Sequence, residues 1–93
     1  MVVGICTLYI LLPHGNSLKE KRQIVTSIKD RIKARYNVSI AEVDNHDSRR
    51  RITLGIACVS NSSNHASQVL ASIIDFVSQN YVYEMLDYEV EIL

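Results

Sequence analysis

The order of two hydrophobic periodicities constrains the fold of this chain more than any other feature of the sequence. Apolar residues at every second position indicate strands, and apolar residues three or four positions apart indicate amphipathic helices. Strand-like segments lie at 1–12, 38–43, 52–60 and 86–92, and helical patterns begin at Ser17 and near Ala66. The resulting order is strand, helix, strand, strand, helix, strand.

That order predicts an α+β domain with the ferredoxin-like split βαβ arrangement, βαββαβ. Right-handed crossovers place the first and third strands at the centre of a four-stranded antiparallel sheet, with two helices on one face. The other face of the sheet is left open. Because 93 residues are too few for two hydrophobic cores, residues 1–93 are expected to form a single domain.

The first predicted helix carries a start signal and an uneven distribution of charge. Ser17 and Glu20 have the Ser-x-x-Glu spacing of a capping box, in which each side chain bonds the backbone amide of the other residue. The apolar stripe that follows consists of Leu18, Val25, Ile28, Ile32 and Tyr36. At about 100° per residue, four bases fall together on one flank of this stripe. They are Lys19, Arg22, Lys29 and Lys33.

Charge is distributed unevenly along the chain, although the formal net charge is zero. All ten Lys and Arg residues lie between Lys19 and Arg51 together with five acids, so this stretch carries +5. Residues 52–93 contain five acids and no Lys or Arg, which gives −5. This asymmetry indicates an electrostatic binding face or, alternatively, two halves that pack together in a dipolar domain.

In the predicted topology, the loop before the first helix and the hairpin between the second and third strands emerge at one end of the domain. A helix N-terminus offers free amides there, so an anion such as an RNA phosphate is favoured. The candidate anion-binding or RNA-binding residues are Lys19, Lys21, Arg22, Lys29, Lys33, Arg49, Arg50 and Arg51. Arg22 and Arg50 are expected to be exposed. The alternative is a solvated rim of long side chains, partly neutralised by nearby acids.

The open face of the sheet is the second candidate surface. Alternation places Ile5, Tyr9 and Val59 on this face. Tyr9 is its one aromatic residue on the central strands, so base stacking in the manner of an RNA-recognition motif is not expected. A largely apolar open face favours a protein partner or a dimer that buries Ile5, Tyr9 or Val59. Glu89 and Glu91 on the last strand are expected to stay exposed and to discourage edge pairing.

Several short segments form a specific combination. They are Met1-x-Val3-Gly4, Leu12-Pro13, Ser17-Leu18-Lys19-Glu20-Lys21-Arg22, residues 36–44, Leu54-Gly55-Ile56-Ala57 and Val59-Ser60-Asn61. Together, over essentially the whole chain, they resemble the YlxP-like family of small bacterial proteins, a domain of unknown function. The resemblance implies a ferredoxin-like fold and no assigned activity. Members of that family are often encoded near translation and ribosome-maturation factors, which implies RNA or the ribosome by association.

The sequence contains no motif typical of an enzyme. A Gly-rich phosphate loop, a nucleophile elbow and paired carboxylates are all missing, so the domain is predicted to be non-catalytic and to need no cofactor. No His/Cys spacing matches a metal site, with His14 and His46 expected at one end and His65 at the other. Cys6 and Cys58 lie within apolar strand-like runs and are expected to be free, buried thiols.

The apolar segment at the start of the chain is predicted to be a buried strand rather than a targeting signal. No Lys or Arg precedes it, and it is shorter than the roughly 20 apolar residues that a bilayer-spanning helix requires. A cytoplasmic location, without a membrane partner, is therefore expected.

Three functions remain open. The leading hypothesis is a non-catalytic binding module for RNA or a ribonucleoprotein, which uses the first helix and the hairpin and has no specificity for DNA. The second is a homo-oligomeric protein-interaction domain, a dimer in its simplest form, that uses the open face. The third is a small-ligand-binding regulatory domain. Salt dependence of RNA binding separates the first from the second, and ligand-induced thermal shifts detect the third.

Overall fold

The computed structural model describes residues 1–13, 16–80 and 82–93. Its elements are β1 (Val2–Leu11), α1 (Leu18–Arg35), β2 (Ser39–Asp44), β3 (Arg51–Ser60), α2 (Ser63–Ser78) and β4 (Glu84–Ile92). The predicted order of strands and helices is confirmed. α2 begins three residues earlier than the hydrophobic pattern indicates, because its first residues are polar and carry no periodic signal. β4 begins two residues earlier, because a register shift opposite Tyr9 and Ile10 leaves Leu86 unpaired and interrupts the alternation. The expected position of His14 falls outside the described residues.

The strands form one antiparallel sheet in the order β2-β3-β1-β4 across the described residues. As predicted, β1 and β3 occupy its centre, and they pair over their full lengths from Val2 opposite Ser60 to Leu11 opposite Arg51. β2 and β4 are the two edge strands, and each pairs with one central strand. The antiparallel α+β, ferredoxin-like fold is therefore confirmed.

An apolar core lies between one face of the sheet and the two helices. The central strands contribute alternate residues, namely Cys6, Leu8, Ile10, Ile52, Leu54, Ile56 and Cys58. The helices contribute Val25, Ile28, Ile32, Leu70, Ile73 and Val77. The intervening residues of β1 and β3 point to the opposite side and form the open face. Within the described ranges, no helix is long and apolar enough to cross a membrane.

Helix α1 begins at the predicted capping box. Ser17 Oγ accepts a hydrogen bond from the amide of Glu20 at 3.1 Å, and Glu20 Oε1 accepts one from the amide of Ser17 at the same distance. The bond from the Ser17 amide, and then the contact with its hydroxyl, favour the charged carboxylate and lower the pKa of Glu20. The first turn is thereby fixed, which sets the direction of α1 and the positions of its bases.

Gly4 allows α2 to approach the sheet closely. A Cβ atom added at this position would lie 3.0 Å from Leu70 Cδ1, 3.2 Å from Ile92 Cδ1 and 3.3 Å from Ala66 Cβ. A side chain on residue 4 would therefore push α2 away from β1. The absence of that side chain seats α2 over β1 and the inner side of β4.

Both cysteines are free and buried, as predicted. Desolvation raises the pKa of the Cys6 thiol to about 11, so this thiol is protonated at neutral pH. The two residues therefore act as small apolar components of the core.

Candidate functional site

The β1–α1 connection and the β2–β3 hairpin lie together at one end of the domain, as predicted. The amide of Leu12 donates to the carbonyl oxygen of Arg50 over 2.7 Å, which joins the end of β1 to the hairpin. The hairpin turns through Asn45, whose φ of 60° lies in the left-handed region that asparagine tolerates better than most residues. The first turns of α1 reach the same hairpin through Lys21.

Lys21 is fully buried, so its prediction as an RNA contact is wrong. Its Nζ donates to the carbonyl oxygens of Asn45 at 2.7 Å and His46 at 3.3 Å, and it lies 2.7 Å from Glu42 Oε2. That carboxylate oxygen is buried and accepts no well-aligned hydrogen bond from the described residues, so its compensating interaction is charge attraction to Lys21. The charge of Lys21 is neutralised inside the domain, and its role is to hold the hairpin against α1.

The sequence contains a signal for this burial. Lys21 follows Leu18 by three positions and precedes Val25 by four, which places it on the apolar stripe of α1. A base on the core-facing side of a helix needs a buried acid, and Glu42 lies on the same side of β2 as the buried Ile40. Sequence proximity of Lys21 to exposed bases is misleading, because successive helical residues point in different directions.

Arg50 is half-buried, so its predicted full exposure is also wrong. Its Nε donates to the carbonyl oxygen of Leu12 at 3.2 Å, and its amide donates to Ser48 Oγ at 3.3 Å. Arg50 therefore ties the hairpin to the end of β1. Arg49 and Arg51 are the exposed bases of the hairpin.

The four bases on one flank of α1 form a surface that we name the basic ridge: Lys19, Arg22, Lys29 and Lys33. Three of them are exposed, and Lys29 is half-buried. Projected at about 100° per residue, the four side chains span about 80°, and no acidic residue falls between them. The ridge is thus a strip of positive charge along the helix, made of two pairs of bases with Thr26 between them.

The other flank of α1 faces α2. The Arg35 guanidinium lies 4.6 Å from the centroid of the Phe76 ring, and Arg31 and Arg35 line a groove that also contains Tyr83. Because these two arginines point towards α2, the basic ridge lies on the side of α1 that is turned away from it. The ridge is therefore not covered by α2.

The open face of the sheet has an apolar half made by β1, β2 and β3. Ile5 is 37% exposed and Val59 is 66% exposed, whereas Tyr9 is half-buried. A shallow, mostly apolar depression of about 320 Å³ runs across the three strands. Val43 lies within it over Gly55, where an added Cβ atom would be 2.8 Å from Val43 Cγ1.

The half of the open face that belongs to β4 is acidic. Asp87, Glu89 and Glu91 stand opposite residues of β1 on this face, and all three are exposed, as predicted for Glu89 and Glu91. Desolvation, followed by the negative charge of Glu89, raises the pKa of Tyr9. The negative charges of Asp87, Glu89 and Glu91 repel a phosphate backbone from this half of the face.

The described histidines and acids do not form a metal site. Across residues 1–13, 16–80 and 82–93, no group of three or more His, Cys, Asp or Glu side chains is arranged to hold a metal ion. His46 lies in the hairpin before β3, and His65 lies at the start of α2, after the other end of that strand. These two histidines are therefore at opposite ends of the domain.

The fold and its surfaces define a ferredoxin-like α+β domain with a basic flank on one helix and an open sheet face. Residues 3–90 match the family described as "Protein of unknown function (DUF503)", and the chain belongs to that family. It is similar to the Bacillus subtilis (strain 168) protein named "Uncharacterized protein YlxP", with 32% identity over 76 residues that cover 82% of this chain and 83% of that protein. The resemblance to the YlxP-like family is confirmed. Neither description names an activity.

Proposed function

We propose that the domain is a non-catalytic, cytoplasmic module that binds RNA, alone or within a ribonucleoprotein, through contacts to phosphates. The observation that carries the proposal is the basic ridge, whose four bases have no acid between them and lie on the side of α1 turned away from α2. Exposed Arg49 and Arg51 add positive charge near the start of that helix. Lys21 contributes nothing to the attraction, because Glu42 neutralises it.

The length of the basic ridge suits a run of phosphates. Lys33 follows Lys19 by 14 residues, which spans about 21 Å at about 1.5 Å per residue. A stacked nucleic-acid strand carries one phosphate per roughly 3.4 Å, so about six phosphates fit along this length. Contacts of this kind position a strand without reading its sequence, so low sequence specificity is expected.

The test compares two charge reversals on the same helix. Arg22→Glu places an acid in the basic ridge, and Arg31→Glu makes the same change in net charge on the flank that faces α2. The binding of a fluorescein-labelled oligouridine is measured by fluorescence anisotropy at low salt. We expect Arg22→Glu and the hairpin variant Arg49→Glu to weaken binding about tenfold or more, and Arg31→Glu to change it by less than about threefold.

Circular dichroism on each variant checks that the fold is retained. Equal weakening by Arg22→Glu and Arg31→Glu would contradict a defined ridge and indicate attraction to overall charge. Failure of the unmodified domain to bind the oligouridine at low salt would contradict the proposal outright.

A second function, self-association through the open face, is favoured by the exposure of Ile5 and Val59 beside the apolar depression. We propose a dimer in which these side chains and Tyr9 are buried. Light scattering on the unmodified domain is compared with Val59→Lys and with Val82→Lys, a control at a valine that is 55% exposed elsewhere on the surface. We expect Val59→Lys, but not Val82→Lys, to give monomers. A monomer for the unmodified domain at all concentrations would refute the dimer.

A further inference from the structure

The outer side of β4 is an unpaired strand edge. Val3 and Leu93 exchange both backbone hydrogen bonds across the β1–β4 pair, at 3.4 and 2.7 Å. Such pairs alternate along an antiparallel ladder, so the residues opposite Gly4, Cys6 and Leu8 turn their N–H and C=O groups away from β1. These residues are Ile92, Val90 and Tyr88. The Tyr88 amide already donates to Asp87 Oδ1 at 2.8 Å. We call the remaining outward groups, namely the amides of Val90 and Ile92 and the carbonyl groups of all three residues, the free edge of β4.

Exposed apolar side chains lie next to the free edge, on the side of the sheet that faces the helices. Tyr88 is 52% exposed and Val90 is 44% exposed. With Ala71 and Ile74 they form the apolar part of a groove of about 670 Å³ between α2 and β4. Its polar part consists of Ser67, Ser72, Asp75 and Ser78 on α2. The other sheet edge differs, because Ile40 of β2 is buried in the core. β4 therefore presents free backbone groups and uncovered apolar side chains together.

The opposite face of β4 carries a row of carboxylates that lacks counter-ions among the residues that the structure describes. Asp87, Glu89 and Glu91 form no ion pair with any described residue, and residues 52–93 contain no Lys or Arg. Pairing of β4 with β4 of a second copy would bring two such rows side by side, which is unfavourable. A strand with basic residues on that face meets the carboxylates with opposite charge.

We propose that the free edge of β4 binds an extended segment of a partner protein in which basic residues alternate with apolar ones, as a fifth strand of the sheet. Its backbone pairs with the amides of Val90 and Ile92 and with the outward carbonyl groups of β4, because the Tyr88 amide is bonded to Asp87. Its basic side chains lie beside Glu89 and Glu91, and its apolar side chains enter the groove along α2. The two-residue period of a strand satisfies both faces at once. This surface is separate from the basic ridge, so the binding does not depend on RNA.

The test uses a capped seven-residue peptide that alternates lysine and valine, titrated into the ¹⁵N-labelled domain. We expect the largest amide shifts at Val90 and Ile92. A peptide of the same composition, with its lysines and valines in separate blocks, has the same charge but no strand period. It is expected to bind about tenfold or more weakly, because it cannot match both faces.

Two protein variants separate charge from backbone pairing. Glu89→Lys combined with Glu91→Lys is expected to abolish binding of the lysine–valine peptide and to create binding of a glutamate–valine peptide. Val90→Pro removes one outward N–H group and leaves the ladder with β1 intact, so it is expected to abolish binding in a folded domain. Should Val90→Pro unfold the domain, a lysine–valine peptide N-methylated at alternate residues removes the same hydrogen bonds and is expected not to bind.

Three results would overturn the proposal. The first is equal affinity for the alternating and block peptides. The second is a set of shifts centred on Ile5 and Val59, which would place the peptide on the open face. The third is protection of the Val90 amide from hydrogen exchange in a peptide-free dimer, which would show that a second copy occupies the edge.

Discussion

Lys21 and Glu42 bring opposite charges into the domain at a separation of 2.7 Å. Breaking a buried pair leaves one charge uncompensated, so Lys21→Met is expected to lower the free energy of unfolding by about 3–5 kcal/mol. Lys21→Met combined with Glu42→Leu is expected to recover most of that loss, because apolar residues of similar volume replace both charges. Urea unfolding of the three proteins measures both values. Equal losses in the single and double variants would argue against a pair that acts as a unit.

Two glycines provide a matched test of packing at the residue scale. At Gly4 an added methyl group meets buried Leu70 and Ala66, and we expect Gly4→Ala to cost roughly 1–3 kcal/mol of stability. At Gly55 it meets Val43 Cγ1 at 2.8 Å, but Val43 is 55% exposed and its side chain is not enclosed by the core, so Gly55→Ala is expected to cost less. Thermal unfolding compares the two variants. A larger loss for Gly55→Ala would mean that α2 does not depend on close contact with β1.

At the scale of elements, the start of α1 combines a hydrogen-bonded cap with a titratable group. Replacing Ser17 with Ala is expected to cost about 1 kcal/mol of stability, because the Glu20 amide loses its acceptor. The contribution of Glu20 depends on pH because its pKa is lowered in the folded state. It is complete above the ordinary glutamate pKa and is lost as the pH falls through the lowered value.

Comparison with the Glu20→Gln variant isolates this titration. Glutamine keeps the geometry of the capping box but does not titrate. We expect the unmodified domain to be more stable than the variant near neutral pH. This difference is expected to shrink as the pH falls below 4.5, the ordinary pKa for this group, because the carboxylate then takes up a proton. Chemical denaturation between neutral and acidic pH measures the difference, and a difference that grows towards acid would contradict the lowered pKa.

The strands and helices could be predicted from the sequence, because the patterns that indicate them involve residues close together in the chain. The alternation around Leu8 and Leu54, and the Ser17–Glu20 spacing, depend on residues close together in the chain. The burial of Lys21 depends on Glu42, which is 21 residues away, and that of Arg50 depends on Leu12, which is 38 residues away. The identity of a basic residue in the sequence does not reveal such a distant partner. The exposure of Val90 and its neighbours depends on where α2 sits over the sheet, which alternation does not specify.

At the scale of the whole molecule, the charge asymmetry of the sequence becomes a separation in space. The basic ridge belongs to α1, which packs against β2, whereas the carboxylate row belongs to β4. These strands are the two edges of the sheet, about 14 Å apart at roughly 4.8 Å per strand. The described residues contain one ion pair, which is internal to the basic half. The two halves therefore do not neutralise each other through direct contacts, and each presents its charge to a different side.

The salt dependence of RNA binding tests the basic ridge most directly. Each neutralised phosphate of a single strand contributes about −0.7 to the slope of log K against log salt concentration. In oligouridine titrations over a range of salt concentrations, Arg22→Gln is expected to make the slope shallower by about 0.7, and Arg31→Gln is expected to leave it unchanged. A slope near zero for the unmodified domain, or the same change for both variants, would contradict RNA binding through the basic ridge.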